Sequence, residues 1–202
     1  SSNGGTAVYQ DGGTITTGTG LTVNGSGSFL ALKNADSTIN SILKVGADGI
    51  GINAIYDASG SNHSLTLGSS GKIELNGNKA TGIAASVNGV TPQKVTIKNE
   101  GTIKTISGTE TVGIFAKGAH VEHTAGAKID SGANGIGIYT TNDGADPNTT
   151  LTNKGEIILS GDEAIGILAN KPKTTQSFVG GKITGTKDTL TGIYVKETEA
   201  LT

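Results

Sequence analysis

Short runs in which apolar and polar residues alternate recur along the chain, and Gly, Asn and Asp separate them. Alternation of period two between turn-forming residues predicts β-strands. Two signals mark the runs. One reads Gly-x-Ile, at Gly71–Ile73, Gly101–Ile103, Gly155–Ile157 and Gly181–Ile183, with Gly126–Ile129 carrying one extra residue. The other reads Gly-Ile, ending at Ile52, Ile83, Ile114, Ile138, Ile167 and Ile193. From the first isoleucine to the second the separations are 10, 11, 9, 10 and 10 residues, and the second recurs after 31, 31, 24, 29 and 26. Leu43 to Ile52 adds an earlier copy at a separation of 9. A third strand-like piece precedes each Gly-x-Ile: Leu65–Leu67, Val95–Ile97, Val121–His123, Leu151–Asn153 and Phe178–Val179.

Three short strands per repeat of about 24–31 residues predict an all-β fold, a right-handed parallel β-helix in which each strand pairs with its copies in adjacent turns. Turns spaced about 4.8 Å apart stack like on like. Ile73, Ile103, Ile129, Ile157 and Ile183 form one expected inward column, and Ile83, Ile114, Ile138, Ile167 and Ile193 another. Small side chains follow two residues on: Ala85, Ala116, Thr140, Ala169 and Val195. The glycine before each isoleucine reads as a corner at positive φ, and Asn99 and Asn153 as turn residues tolerant of the left-handed conformation. Pro92, Pro147 and Pro172 share one spacer, which predicts protruding loops along one edge of the rod and tight turns at the other two. Residues 43–202 form the regular turns. Residues 1–42, with Ile15, Leu21, Val23, Phe29 and Leu32, read as irregular β-rich turns or a cap on the same continuous domain.

Composition narrows the function. Gly supplies 33 of 202 residues, aromatics are few, Cys is absent, and all fifteen basic residues are Lys. The missing Cys excludes disulfides and thiolate chemistry. Glycine without a three-residue period excludes collagen, and no apolar run approaches the roughly 20 residues of a membrane span. A net charge of −2 with both signs interspersed argues against a nucleic-acid surface. Ser1–Gly5 has neither the basic start nor the apolar stretch of a signal peptide, so the chain reads as an excerpt of a longer protein.

The strings GTETVGIFAKG, GANGIGIYTTN, GDEAIGILANK and DTLTGIYVKET, each after a Gly-x-Ile strand, resemble passenger repeats of large fusobacterial type V autotransporter adhesins of the RadD-like kind. The resemblance covers about residues 43–195 and is one of repeat style. It implies a β-helical stalk on the bacterial surface, an outer-membrane barrel elsewhere in the full chain, and adhesion to a protein or glycan receptor on host cells or other bacteria. The expected role is therefore non-enzymatic, with no cofactor. The alternative is a β-helical enzyme or toxin passenger whose chemistry lies outside these residues.

Outward charges flank the Gly-x-Ile strands: Lys72, Glu74, Lys104, Lys128, Asp130, Glu156 and Lys182. Asp130 with Glu156 would be the carboxylate pair of a sugar-cleaving site. Read as neighbours on successive turns, Lys104 with Asp130 and Lys128 with Glu156 instead form a solvated charge ladder, the reading we favour. His120 and His123, three apart on a strand, point to opposite faces, and a zinc site lacks a third ligand. Asn142, Asp143 and Asp146 could give oxygen ligands to calcium, but Asn, Asp and Gly are equally the residues of an ordinary turn.

Ala84, Phe115, Tyr139, Leu168 and Tyr194 follow each Gly-Ile and face outward if the isoleucines face in. Stacked aromatics stabilise a sheet and also suit a partner. The candidate partner-binding residues are Phe115, Tyr139 and Tyr194 with Asn142, Asp143, Asp146, Lys171 and Lys173 of the loop ridge. Bare strand edges at the rod's ends predict a capping element within 1–42 or end-to-end association.

Overall fold

The computed structural model describes residues 5–57, 61–88, 94–142, 150–170, 176–177 and 180–196. These form three parallel sheets of eight, seven and seven strands, stacked as a β-solenoid with three strands per turn. The first face holds Thr6–Asp11, Ser28–Lys33, Ile50–Tyr56, Thr81–Val87, Val112–Lys117, Ile136–Thr141, Ile165–Asn170 and Thr191–Lys196. The second holds Thr14–Thr17, Asp36–Ile39, His63–Leu67, Val95–Asn99, His120–His123, Leu151–Asn153 and Gln176–Ser177. The third holds Thr22–Gly25, Ile42–Val45, Lys72–Asn76, Thr102–Ser107, Lys128–Ser131, Glu156–Leu159 and Lys182–Gly185. In the last repeat the second-face strand thus precedes Phe178–Val179, which lie outside the described residues.

Both isoleucine columns pair in register, Ile83 with Ile114 with Ile138 with Ile167 with Ile193, and Ile73 with Ile103 with Ile129 with Ile157 with Ile183. Between Ile73 and Ile167 they are shut from water, as are Ala85, Ala116 and Ala169. At the two ends Val8, Ile193 and Val195 remain 42%, 44% and 46% exposed. The solenoid continues upstream of residue 43. Val8 pairs with Leu30 and Leu30 with Ile52, while Val23 pairs with Leu43 and Leu43 with Ile73. Residues 6–45 are therefore regular turns and not an irregular segment. The two inter-turn steps there are 22 residues long, and Phe29 occupies the place taken downstream by the glycine.

Glycine's role differs from a corner at positive φ. Gly51, Gly82, Gly113, Gly137 and Gly166 lie inside strands with ordinary φ. A Cβ on Gly113 would sit 2.5 Å from the carbonyl oxygen of Gly137 and 2.9 Å from Cγ2 of Ile129. The same pair of obstacles, the next glycine's oxygen and a third-face isoleucine, meets the other four, with Val45 joining Ile73 beside Gly51. The first-face strand thus lies against the third-face isoleucine column at a separation that only a hydrogen permits.

The left-handed corner sits elsewhere. Asp48, Lys79, Glu110, Asn134 and Glu163 have φ between 52° and 58° and lead from the third face into the first. This conformation costs a non-glycine residue roughly 1–2 kcal/mol. Inter-turn bonds offset it: Lys79 N–H donates to Thr109 O (2.9 Å), Glu110 N–H to Ala133 O (3.0 Å) and Asn134 N–H to Asp162 O (2.8 Å). Asn99 and Asn153 are strand residues without positive φ, so they are not turn residues either. The spacers with Pro92, Pro147 and Pro172 lie outside the described residues.

Candidate functional site: three unlike outer faces

The outer surface of the third face is a ladder of charges. Lys128, Glu156 and Lys182 stand in register on successive turns, and the Glu156 carboxylate lies 3.5 Å from each ammonium. Glu74 takes Lys72 at 2.6 Å and Lys44 at 3.8 Å. The Lys72 ammonium, aided by Lys44, holds the Glu74 carboxyl below the usual range. Asp130 belongs to the neighbouring column, opposite Lys104 and Ile158, and accepts from the Ser160 hydroxyl. Asp130 and Glu156 thus occupy separate columns, each engaged by its own partners.

The second face carries hydroxyl and charged groups outside and a polar ladder inside. His120 points outward and His123 inward, as their spacing requires. Asn99, His123 and Asn153 pair in register and are all fully buried. Beside this face a shallow groove opens among Asp36, Asn62, His63, Lys94, Lys98 and Glu122. His63 Nδ1 lies 3.4 Å from Asp36 Oδ1, and its ring stacks on Tyr56 with centroids 5.1 Å apart. Burial, with the charge of Asp36, pushes the Tyr56 phenol well above its ordinary pKa. Asp36 also accepts from the Ser64 N–H at 2.8 Å. This cluster is not legible in the sequence, because Asp36 lies in turns whose register the Gly-Ile repeat does not reach. Among the described residues no group of three or more His, Asp or Glu side chains is placed to hold a metal ion.

The first face carries the predicted aromatic column. Ala84, Phe115, Tyr139, Leu168 and Tyr194 are register neighbours. Phe115 and Tyr139 are half-buried and meet edge to face, centroids 5.2 Å apart at 73°. Tyr194, on the last strand, is 47% exposed. Asn142 does not stand on an outer ridge: it is 7% exposed, and its N–H donates to Asn170 O at 3.3 Å. Asp143, Asp146, Lys171 and Lys173 lie outside the described residues. A second outward column flanks the aromatic one and was not expected: Ile50, Thr81, Val112, Ile136, Ile165 and Thr191, each half-buried.

No protein-family model matches the chain, and no curated protein or solved structure shows significant similarity to it.

Proposed function

We propose that this chain is a non-enzymatic stalk or adhesive segment of a secreted bacterial surface adhesin of the autotransporter type, which attaches its cell to host cells or to other bacteria. The observation that carries this reading is the disposal of the outward charges. Glu156 between Lys128 and Lys182, and Glu74 between Lys44 and Lys72, are absorbed into a ladder rather than converging on a cleft. A rod of stacked turns carries a continuous lateral surface away from an anchor, which suits presentation of a receptor-binding face. The repeat style supports the autotransporter assignment, with a position outside the cell and an outer-membrane anchor in another part of the full protein.

The Asp36–His63 pair beside its groove favours a second reading, a polysaccharide-acting site; both imidazole nitrogens are enclosed here, so the ring would have to turn toward the groove to act as a base. The two readings separate in one experiment. The purified chain is applied to host cells, bacterial cells and a glycan array, and in parallel to a polysaccharide cleavage assay. Saturable binding without cleavage is expected. Cleavage that disappears in His63→Ala and Asp36→Asn would overturn the adhesive reading.

A further inference from the structure

The three outer faces differ in charge, and the first is unlike the others. Its two central outward columns, followed across all eight strands from Thr6 and Tyr9 to Thr191 and Tyr194, contain no charged residue. In the later turns both columns become apolar. Val112, Ile136 and Ile165 stand in one, and Phe115, Tyr139 and Leu168 beside them in the other. All six are half-buried outward side chains. An uncharged, apolar sheet surface of this kind is ordinarily covered by a second layer.

We propose that the cover is a second copy of this chain, packed face to face about a two-fold axis parallel to the rod. Two features select that occupant. The first is area. Eight strands of about 20 Å, spaced about 4.8 Å apart, give the whole face about 700 Å², close to the roughly 800 Å² that each partner gives to a stable complex, with the apolar later turns as its core and the polar earlier turns as its rim. The second is self-complementarity. A two-fold along the rod keeps the turns level and reverses the strands. It sets the β-branched column of one copy against the aromatic column of the other, large against small, in both halves of the interface.

Charge at the margins agrees with this axis. The flank where the first-face strands end carries Lys33, Lys117 and Lys196, together with Asp11 and with Asp57, whose carboxylate lies 3.7 Å from the Lys33 ammonium. The flank where they begin carries Asp48, Glu110 and Glu163 at the left-handed corner, with Lys79. Under the proposed axis Lys117 of one copy lies over Glu110 of the other on the same turn, and the contact occurs twice. A two-fold across the rod would instead bring the lysine flank onto itself. Opposite charges at the rim fix orientation more than they add affinity. The proposal does not depend on the adhesive reading, since it concerns the chain alone.

Sedimentation equilibrium of the 202-residue chain tests it. The expected mass rises over the micromolar range toward twice the 20.1 kDa of one chain. Replacing both Ile136 and Tyr139 by Lys should keep the mass at that of one chain. Both side chains point out of the rod, so the β-sheet circular dichroism should be kept, while the melting temperature falls modestly with the loss of the Phe115–Tyr139 ring contact and of association. Glu110→Lys should weaken association about tenfold, and Lys117→Glu added to it should restore the wild-type constant. A chain that stays single throughout, including one whose first face instead binds a glycan, overturns the proposal. Association that survives the Ile136 and Tyr139 replacements also overturns it and points to the rod's ends. Failure of the double reversal to rescue overturns the parallel axis.

Discussion

The side-chain amide of Asn99 donates to Nδ1 of His123 at 3.1 Å, and both side chains are wholly buried inside the rod. Asn99 Oδ1 accepts from the Gly101 N–H at 3.1 Å, which fixes the amide's orientation. His123 must therefore accept at Nδ1 and carry its proton at Nε2, which donates to Glu156 O at 3.2 Å. A second proton, on Nδ1, would face a donor. Burial, only partly opposed by the bond to Glu156 O, lowers the pKa of His123 below its ordinary value. The unfolded chain then binds a proton at a higher pH than the folded one. Stability from this residue is complete above about pH 6.5, the unfolded value, and falls as pH drops toward the depressed folded pKa. A melting series from neutral to mildly acidic pH should show this slope, and His123→Asn, matching Asn99 and Asn153, should flatten it.

Gly113→Ala should lower the melting temperature, because its Cβ would meet backbone on one side and the buried Ile129 on the other. Overpacking of this kind costs about 1–3 kcal/mol. Gly192→Ala is the matched control. It stands at the same place in its repeat, yet nothing lies within 4 Å of the added methyl. Differential scanning calorimetry should separate the two. Equal losses would contradict close packing as the reason for glycine.

Ile103 and Ile106 share one strand but not one environment. Ile103 is fully buried, and Ile106 is 49% exposed at a break in register between Thr105 and Ser107. An aspartate at 103 would place an unpaired charge in the rod and should cost several kcal/mol, roughly the upper part of the range for buried polar groups. Ile106→Asp should change stability by no more than about 0.5 kcal/mol. Urea denaturation of both variants checks the difference.

Glu156→Gln leaves Lys128 and Lys182 without the carboxylate between them. Exposed pairs contribute about 0–1 kcal/mol, so the loss should be small at physiological salt and larger at low salt. The salt dependence of the melting temperature, wild type against variant, is the informative measurement.

The isoleucine columns were legible because spacers vary while the strands do not. Even the irregular separation had meaning: the one extra residue between Ile103 and Ile114 is the bulge that turns Ile106 out. Residues 6–45 escaped because their step is 22 residues and Phe29-Leu30 replaces Gly-Ile. Glycine's role was misassigned because a left-handed corner and a crowded strand both select Gly, and only the neighbouring turn distinguishes them. The same crowding hid half of the first face. Strict alternation from Ile114 would turn Val112 inward. Gly113 and Ile114 both face the interior, so the alternation slips by one and Val112 points out. The aromatic column, downstream of the slip, was readable. The Asn99–His123–Asn153 alignment was readable as well, but its burial was not, since polar residues at a strand's end ordinarily suggest a turn.

The paired strands within the described solenoid join one turn to the next, so the backbone bonds of every sheet run along the rod. Tension applied at the two ends would load them a few at a time instead of all together. Turns would peel off singly, each releasing a spacing of about 4.8 Å into a length set by its contour. At up to about 3.6 Å per residue, a 31-residue step, as from Ile83 to Ile114, pays out on the order of 100 Å. Such a rod yields as a spool under pull, lengthening by successive increments while the remaining turns stay wound.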